Sequence, residues 1–350
     1  MNNKLRYGVY SMPAEGEPQN STWIAWPHNK DDWPGKFAQI PWVFSKIITI
    51  LSKVQSVNIL VENKSEKKTV FFFLNILGAK IKNIKLIVCK TDRAWTRDFL
   101  PIFLKNNKNR NILSNWEFNA WAKYKNYKND NKAYLKVKKI KRIKVINPMH
   151  MKKRVVLEGG SVDVNGDGLI LTTKQCLLSK VQQRNKKFKI HDYNEIFNKF
   201  FGAKKAIWLN KGIHGDDTHG HIDDIARFVS KNKIFIAKEN NKKDKNFKNL
   251  NENIKILKKF TKTNKEKLKI IYLPMPKAKF IDGIRVPASY LNFYIANKVV
   301  LVPSFDDTND KIVLKIFKKH FKNRKIIPIN CSTLIWGLGT LHCMTQQEPI

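Results

Sequence analysis

Residues 214–224 hold the densest group of side chains that can do chemistry. This segment carries three histidines and four aspartates, although the whole chain has only 28 acidic residues against 67 lysines and arginines. In a chain so poor in acids, turn-capping aspartates in a solvated loop are an unsatisfying explanation. Two chemistries fit the segment better: metal binding, and the pairing of carboxylates with a cation.

The metal alternative rests on His219, His221 and Asp223, which stand at alternate positions as in the H-x-H-x-D signature of metallo-β-lactamase-like hydrolases. Asp224 stands where that signature has a further histidine, and only two histidines follow downstream. Catalytic zinc sites need at least three protein ligands. We therefore favour the cation alternative and predict no metal.

The cation alternative draws on three residues elsewhere in the chain. Asp98 and Glu158 each follow a predicted strand, and Glu158 precedes two glycines that allow close approach of the backbone or of a ligand. Taken singly, Asp98 is explained by an ion pair with a neighbouring arginine, Glu158 by a turn, and the lone Cys343 by burial. Together with His221 they form a set with a thiol nucleophile, a general acid/base and carboxylates.

This set suits hydrolysis of a guanidinium group. The guanidinium carbon becomes electrophilic when the cation is held and its charge is balanced, which two carboxylates can do. A thiolate then attacks the carbon, and a histidine gives a proton to the departing ammonia before it takes one from the hydrolytic water. The bound cation also favours the thiolate electrostatically.

Nine motifs along nearly the whole chain carry a family resemblance. They are MPAE (12–15), AWPHN (25–29), DDWPG (31–35), NAWAKY (119–124), GDDTHGHIDD (215–224), PASYLNFY (287–294) and the segments 91–101, 157–165 and 337–347. In this order they resemble the agmatine deiminase and bacterial peptidylarginine deiminase-like family of guanidino-group-modifying enzymes. Gly16 and Leu338 depart from the family pattern, at positions that can affect the pocket rim and the distal end of the substrate.

The resemblance implies a fold and a reaction. The fold is α/β, a pentein five-bladed propeller with pseudo-fivefold ββαβ units around a central active site, in one catalytic domain spanning 1–350 and without a cofactor. The reaction converts agmatine and water to N-carbamoylputrescine and ammonia through a covalent Cys343 thiouronium, a step of polyamine and putrescine biosynthesis. Free arginine or peptidyl-arginine is the alternative substrate.

The resemblance also implies seven site residues: the catalytic Cys343, His221 and Glu158, and the substrate-binding Trp95, Asp98, Asp217 and Asp223. Cys343 takes the role of nucleophile, and His221 that of general acid/base oriented by Glu158. Asp98 and Asp223 form the guanidinium clamp. His342 adjoins the thiol in sequence, but we predict that it supports the site by packing or hydrogen bonding.

Hydrophobic periodicity gives a coarse map of the elements. Helices are predicted at 41–51 and 66–77 and strands at 57–61 and 84–89, so the first hundred residues alternate strand and helix. After residue 100, hairpins join the pattern, with strands at 155–157, 161–164 and 169–171 among them. The lysine-rich stretches 123–154 and 238–269 are predicted to be largely polar connections, with a helix at 250–260 within the second.

Composition restricts the remaining function classes. The net charge of +39 suggests nucleic acid as a partner, but the lysines are dispersed and not interleaved with aromatics, so nucleic-acid binding is disfavoured. No apolar run spans a bilayer and the first six residues lack a signal core, so we expect a soluble, cytoplasmic protein. Four widely spaced cysteines predict reduced thiols. A homodimer is left open.

Overall fold

The computed structural model describes residues 10–350. The N-terminal hexapeptide, from which the absence of an export signal was predicted, lies outside them. The helices of the described range are α1 (Ile40–Ser52), α2 (Glu66–Ile76), α3 (Thr96–Phe99), α4 (Ala133–Lys141), α5 (Lys174–Leu178), α6 (Ile190–Phe201), α7 (Asn246–Thr263) and α8 (Thr308–His320).

The strands of the described range follow in chain order: β1 (Tyr10–Ser11), β2 (Gln19–Ala25), β3 (Ser56–Val61), β4 (Ile84–Val88), β5 (Ile102–Asn106), β6 (Asn111–Ser114), β7 (Val145–Ile146), β8 (Met149–His150), β9 (Lys153–Arg154), β10 (Asp163–Val164), β11 (Leu169–Thr173), β12 (Lys205–Leu209), β13 (Ala226–Ser230), β14 (Lys233–Lys238), β15 (Lys269–Pro274), β16 (Lys279–Ile281), β17 (Ile284–Val286), β18 (Tyr294–Ile295), β19 (Val299–Ser304), β20 (Lys325–Asn330) and β21 (Gln346–Pro349).

Five mixed sheets share one pattern of pairing. In each, one strand pairs antiparallel with one neighbour and parallel with the other, and a helix connects the parallel pair. The sheet β13-β14-β15 shows it with α7, and the sheets β10-β11-β12 and β18-β19-β20 repeat it with α5 and α6, and with α8. In the sheets β1-β5-β6-β7 and β21-β2-β3-β4 a fourth strand is added. The predicted α/β class is confirmed.

Amphipathic helices cover these sheets. In α7 the residues Leu250, Ile254 and Leu257 are buried at helical spacing, while the intervening lysines stay outside. The strand β14 that precedes α7 is buried along four successive residues, 234–237, as expected for a strand paired on both edges and packed on both faces. Both predicted helices of the first hundred residues, 41–51 and 66–77, agree with α1 and α2 within one residue at each end.

The structure corrects two parts of the predicted map. The stretch 123–154 is not merely a connection, because α4 lies within it and buries Ala133 and Val137 at a spacing of four. Residues 155–157 form no named strand. They are buried, and Val156 makes only an isolated bridge to Glu117, since the short β8–β9 hairpin ends just before them.

The chain end and the thiols have defined positions. Strand β21 pairs antiparallel with β2, so the C-terminal segment is held in a sheet. The four cysteines, at positions 89, 176, 331 and 343, are all buried and unbonded to one another. Among residues 10–350, no helix combines the length and the apolar character that crossing a membrane requires.

Candidate active site

A cavity of about 450 Å³ brings the predicted site residues together. Four of the seven, Trp95, Asp98, Asp217 and Cys343, line it. The other three, Glu158, His221 and Asp223, lie buried behind this lining, each at most 1% exposed. The predicted set is therefore clustered in space although it spans almost 250 residues of sequence.

Glycines let the loop that carries Cys343 pack against two tryptophans. A Cβ atom on Gly337 would lie 2.5 Å from the indole nitrogen of Trp33, and one on Gly339 would lie 2.9 Å from the Trp95 ring. Between them, Leu338 adopts a left-handed conformation with φ of 63°, which a side chain other than glycine adopts only at a cost. The departure from the family pattern at 338 is thus accommodated by strain in the backbone.

Asn292 fixes the thiol, and the sequence analysis did not select it. Its amide nitrogen donates to Cys343 Sγ at 3.1 Å and to Asp224 Oδ1 at 3.1 Å. Its oxygen accepts from Thr340 Oγ1 at 2.8 Å and from the backbone N–H of His342 at 3.0 Å. The motif PASYLNFY contained Asn292, but only the folded chain shows that it faces the thiol.

The Cys343 thiol lies in an acidic surrounding. Its Sγ atom is 3.8 Å from Asp223 Oδ2. Burial raises the pKa of this thiol well above its ordinary value, and the carboxylates of Asp223, Asp224 and Asp98 raise it further. The thiolate therefore needs a cation nearby to become stable.

His221 stands between two carboxylates. Its Nδ1 atom is 3.8 Å from Asp98 Oδ2, and its Nε2 atom is 3.8 Å from Glu158 Oε2. Within residues 10–350, both ring nitrogens are buried without a hydrogen-bond partner. Burial opposes protonation of the ring, but the surrounding carboxylates outweigh it and raise the pKa of His221 well above its ordinary value. The ring is thus held as a proton donor.

The two carboxylates beside His221 differ in acidity. Burial alone would raise the pKa of Glu158, but Arg184, whose Nε donates to Glu158 Oε1 at 2.9 Å, and His221 hold it at about 2. Asp98 accepts from Trp121 Nε1 at 2.8 Å, yet burial and the carboxylates of Asp223 and Glu158 raise its pKa to about 6. The arginines near Asp98 in sequence do not neutralise it: Arg97 pairs with Glu15 and Arg93 with Asp32.

Gly160 makes this close grouping feasible. A Cβ atom there would lie 2.6 Å from His221 Nδ1, 2.9 Å from Asp98 Oδ1 and 3.1 Å from Asp223 Oδ2. Its backbone N–H also donates to Asp98 Oδ1 at 3.0 Å. The predicted role of the Gly-Gly pair beside Glu158, close approach, is what the structure has.

A buried network supports Asp223 from behind. His342 Nδ1 is 2.7 Å from Asp223 Oδ2, and its Nε2 is 2.8 Å from Glu15 Oε2. Burial would raise the pKa of Asp223, but the contact with His342 outweighs it and lowers that pKa. Glu15 also pairs with Arg97 and Arg227 at 3.0 Å each. Glu15 belonged to the MPAE motif, and nothing in its local sequence indicated this role.

The predicted metal alternative does not fit the geometry. His219 Nε2 is 3.0 Å from Ser179 Oγ and does not converge with His221 and Asp223. In the described range, the single group of three histidine, cysteine or acidic ligand atoms close enough to share an ion is Glu158, Cys176 and His221. Cys176 had no place in the sequence-based site.

Asp217 lies at the rim. Its carboxylate contacts Lys123 Nζ and accepts from Tyr124 OH at 2.6 Å. The cavity lining also includes Asp31 and Asp32. The cavity lining is therefore richer in carboxylates than the high positive charge of the protein leads one to expect.

The fold and the site together define an α/β protein with a buried thiol and a histidine among converging carboxylates. The family model of Porphyromonas-type peptidyl-arginine deiminase matches residues 11–349, and the chain belongs to this family. A Legionella pneumophila (strain Paris) protein named "Putative agmatine deiminase" is 32% identical over 347 residues, which cover 98% of this chain and 96% of the relative.

Solved structures show the same similarity. The structure of a Cys-to-Ser variant of the C. jejuni agmatine deiminase with substrate bound matches with a TM-score of 0.87 and 29% identity, covering 99% of this chain and 98% of that one. The agmatine deiminase of Enterococcus faecalis matches with a TM-score of 0.87 and 27% identity over 97% and 96% of the two chains.

Proposed function

We propose that this protein is an agmatine deiminase, a hydrolase that converts agmatine and water to N-carbamoylputrescine and ammonia. The observation that carries the proposal is the position of Cys343 Sγ, 3.8 Å from Asp223 Oδ2 in a cavity that Asp98 also lines. A thiol placed among carboxylates is a poor nucleophile until a cation arrives. A guanidinium provides that cation and places its electrophilic carbon beside the sulfur.

The proposed reaction has two stages. Asp98 and Asp223 clamp the guanidinium nitrogens. The positive charge of the guanidinium favours loss of the Cys343 proton to the solvent. The Sγ atom attacks the central carbon, the C–N bond to one terminal nitrogen breaks, and His221 gives that nitrogen the proton with which it leaves as ammonia. The product of this stage is a thiouronium on Cys343.

Water completes the cycle. His221, now deprotonated, takes a proton from a water molecule that attacks the thiouronium carbon. The C–S bond then breaks, which releases the ureido product and returns the thiolate. Glu158, fixed on one oxygen by Arg184, orients His221 through both stages and balances its positive charge.

The rim supports agmatine over arginine. The two substrates differ at the end far from the guanidinium, where agmatine has an ammonium and arginine also carries a carboxylate. The cavity lining includes Asp31, Asp32 and Asp217. Arg93, which also lines the cavity, and Lys123 offset two of these acids, so the remaining negative charge disfavours a substrate carboxylate. Trp95 is assigned to the hydrophobic wall along the substrate chain.

The broader assignments follow from the family. The five mixed sheets support a pentein propeller with five ββαβ units around the site, in one domain spanning 1–350. We infer a cytoplasmic enzyme of polyamine biosynthesis that acts on a small cation and not on nucleic acid, and a homodimer is left open as its assembly. Size-exclusion chromatography with light scattering tests the dimer.

A substrate panel tests the activity. The purified protein is incubated with agmatine, arginine and an arginyl peptide, and ureido products and ammonia are measured. The expected order is agmatine first, with no product from a Cys343→Ala protein that keeps the wild-type melting temperature. Preference for the arginyl peptide would replace agmatine by the family alternative, and robust turnover by Cys343→Ala would overturn the mechanism.

A further inference from the structure

A second buried thiol, Cys176, lies next to the proposed catalytic histidine. The mechanism gives it no step, and it does not line the cavity. Its Sγ atom, a carboxylate oxygen of Glu158 and a ring nitrogen of His221 all lie within 4.8 Å of one another. All three residues are fully buried or nearly so.

Two of these three groups have unused bonding capacity. Arg184 occupies Glu158 Oε1, whereas Glu158 Oε2 has no hydrogen-bond partner in the described range. His221 Nε2, 3.8 Å away from Oε2, is likewise without a partner there. A buried polar atom without a hydrogen-bond partner is unfavourable, so a ligand that joins these two atoms would be favoured.

The local fold holds Cys176 against His221. Thr173 caps α5, and its Oγ1 accepts from the backbone N–H of Cys176 at 3.0 Å. The same hydroxyl donates to the carbonyl of Gly220 at 2.6 Å, one residue before His221. A single side chain therefore sets the distance between the thiol helix and the histidine loop, so that the three groups are pre-arranged.

We propose that Glu158, Cys176 and His221 form a zinc site that inhibits the enzyme. Thiolate, imidazole and carboxylate are the protein ligands of zinc, whereas magnesium and calcium prefer oxygen alone. Ligand atoms around a tetrahedral zinc stand about 3.3–3.8 Å apart, given bonds of about 2.0–2.3 Å. The separation of 3.8 Å between His221 Nε2 and Glu158 Oε2 is close to that geometry.

Binding would stop catalysis through His221. The metal takes the lone pair of Nε2 and displaces the proton of that nitrogen and of the Cys176 thiol. Nδ1, on the Asp98 side, keeps its proton. Giving up that proton would leave an imidazolate, and no lone pair is free to accept another, so the ring can neither protonate the leaving nitrogen nor activate water. The inhibition rests on the proposed function, whereas the binding of the metal does not.

Binding of cobalt(II) in place of zinc can be followed by absorption spectroscopy, without any assay of activity. A thiolate ligand gives cobalt an intense sulfur-to-metal charge-transfer band in the near ultraviolet, which oxygen and nitrogen ligands do not give. We expect the band in the wild-type protein and in the Cys343→Ser and Cys89→Ser variants, and its loss in Cys176→Ser. The zinc Kd of Cys176→Ser is expected to rise at least about tenfold.

The outcomes separate this proposal from the proposed function. A band that disappears in Cys343→Ser and persists in Cys176→Ser places the metal on the nucleophile and overturns the proposal, as does absence of any band. If Cys176→Ser does not fold, X-ray absorption of zinc-loaded Cys343→Ser decides: one sulfur ligand supports the site, and none overturns it. A wild-type protein that shows the band with cobalt but does not hydrolyse agmatine after a chelator has removed the metal sinks the proposed function alone.

Discussion

His342 Nδ1 lies 2.7 Å from Asp223 Oδ2, so the histidine next to the proposed nucleophile holds a carboxylate in position. The same Oδ2 atom is the one that lies 3.8 Å from the thiol sulfur. His221 and His342 therefore have different roles in the site. His221, held between two acids, is the proposed proton carrier, and His342 fixes an acid of the proposed guanidinium clamp.

We expect replacement of His342 by asparagine to act mainly on substrate binding. Without the imidazole, burial raises the pKa of Asp223 and the carboxylate loses its orientation. KM for agmatine should rise about tenfold or more, with a smaller change in kcat, in steady-state kinetics. His191→Asn, at a mostly exposed side chain, is the control. A loss confined to kcat would contradict a positioning role.

Gly160→Ala should inactivate the enzyme without unfolding it. The added methyl would stand 2.6 Å from His221 Nδ1 and 2.9 Å from Asp98 Oδ1, so both groups must shift. Displacements of about 1 Å at a catalytic group can cost about 100-fold in rate, and kcat/KM should fall by at least that factor. Gly16→Ala is the matched control because, contrary to the expectation for this position, Gly16 does not line the cavity, and a Cβ atom there meets nothing within 4 Å. Equal losses in both variants would refute the argument.

The reactive side chains of the site could be predicted from the sequence more readily than the side chains that hold them in place. Cys343 and His221 are the proposed reactive side chains of a nucleophilic mechanism, and their residue types suggested that mechanism. Asn292 and Glu15 are a common amide and an acid in turn-rich or apolar surroundings. Their roles depend on strands and loops that meet only in three dimensions, more than 50 residues from the groups that they hold.

The same limit appears in the fold. Long amphipathic helices such as α7 were predicted because their period is strong over many residues. Helix α4 was missed because only two of its nine residues are buried and lysines dilute the pattern. The buried residues 155–157 were taken for a strand because an apolar β-branched run does not distinguish a strand from a buried extended segment. Tertiary packing decides such cases.

The fall of kcat/KM on the acidic side of the pH–rate profile (its acidic limb) should follow the protonation of Asp98. Its pKa is raised to about 6 by burial and by neighbouring carboxylates, and the clamp requires the ionised form. For this reason kcat/KM for agmatine should fall as the pH drops through about 6. Trp121→Phe removes the 2.8 Å hydrogen bond that stabilises the carboxylate, so the limb should move to higher pH. A limb that moves to lower pH would exclude this assignment.

Glu15→Gln should destabilise the fold. The substitution leaves Arg97 and Arg227 buried without their shared counter-charge, which typically costs about 3–5 kcal/mol of unfolding free energy. Urea denaturation measures it, with the exposed Glu17→Gln as control.

The stability of the wild type should also depend on this carboxylate at low pH. Burial opposes its ionisation, but Arg227, His342 and Arg97 hold its pKa well below the unfolded value of about 4.3. Its stabilising contribution is therefore complete above that value and is lost progressively below it. Between pH 5 and pH 3 the wild type should lose more stability than Glu15→Gln, and parallel curves would contradict the assignment.

The rim offers a paired test of substrate choice, because Asp217 and Lys123 carry opposite charges in contact with each other. If the distal ammonium of agmatine lies near this pair, Asp217→Asn leaves the lysine unopposed and should raise KM for agmatine severalfold. Lys123→Met removes the opposing cation and should lower KM for agmatine while raising it for arginine, whose carboxylate meets a more negative rim. Only opposite shifts in the two variants support the electrostatic argument. Shifts of the same sign would show that the pair acts through the shape of the rim, since both variants disrupt the same contact.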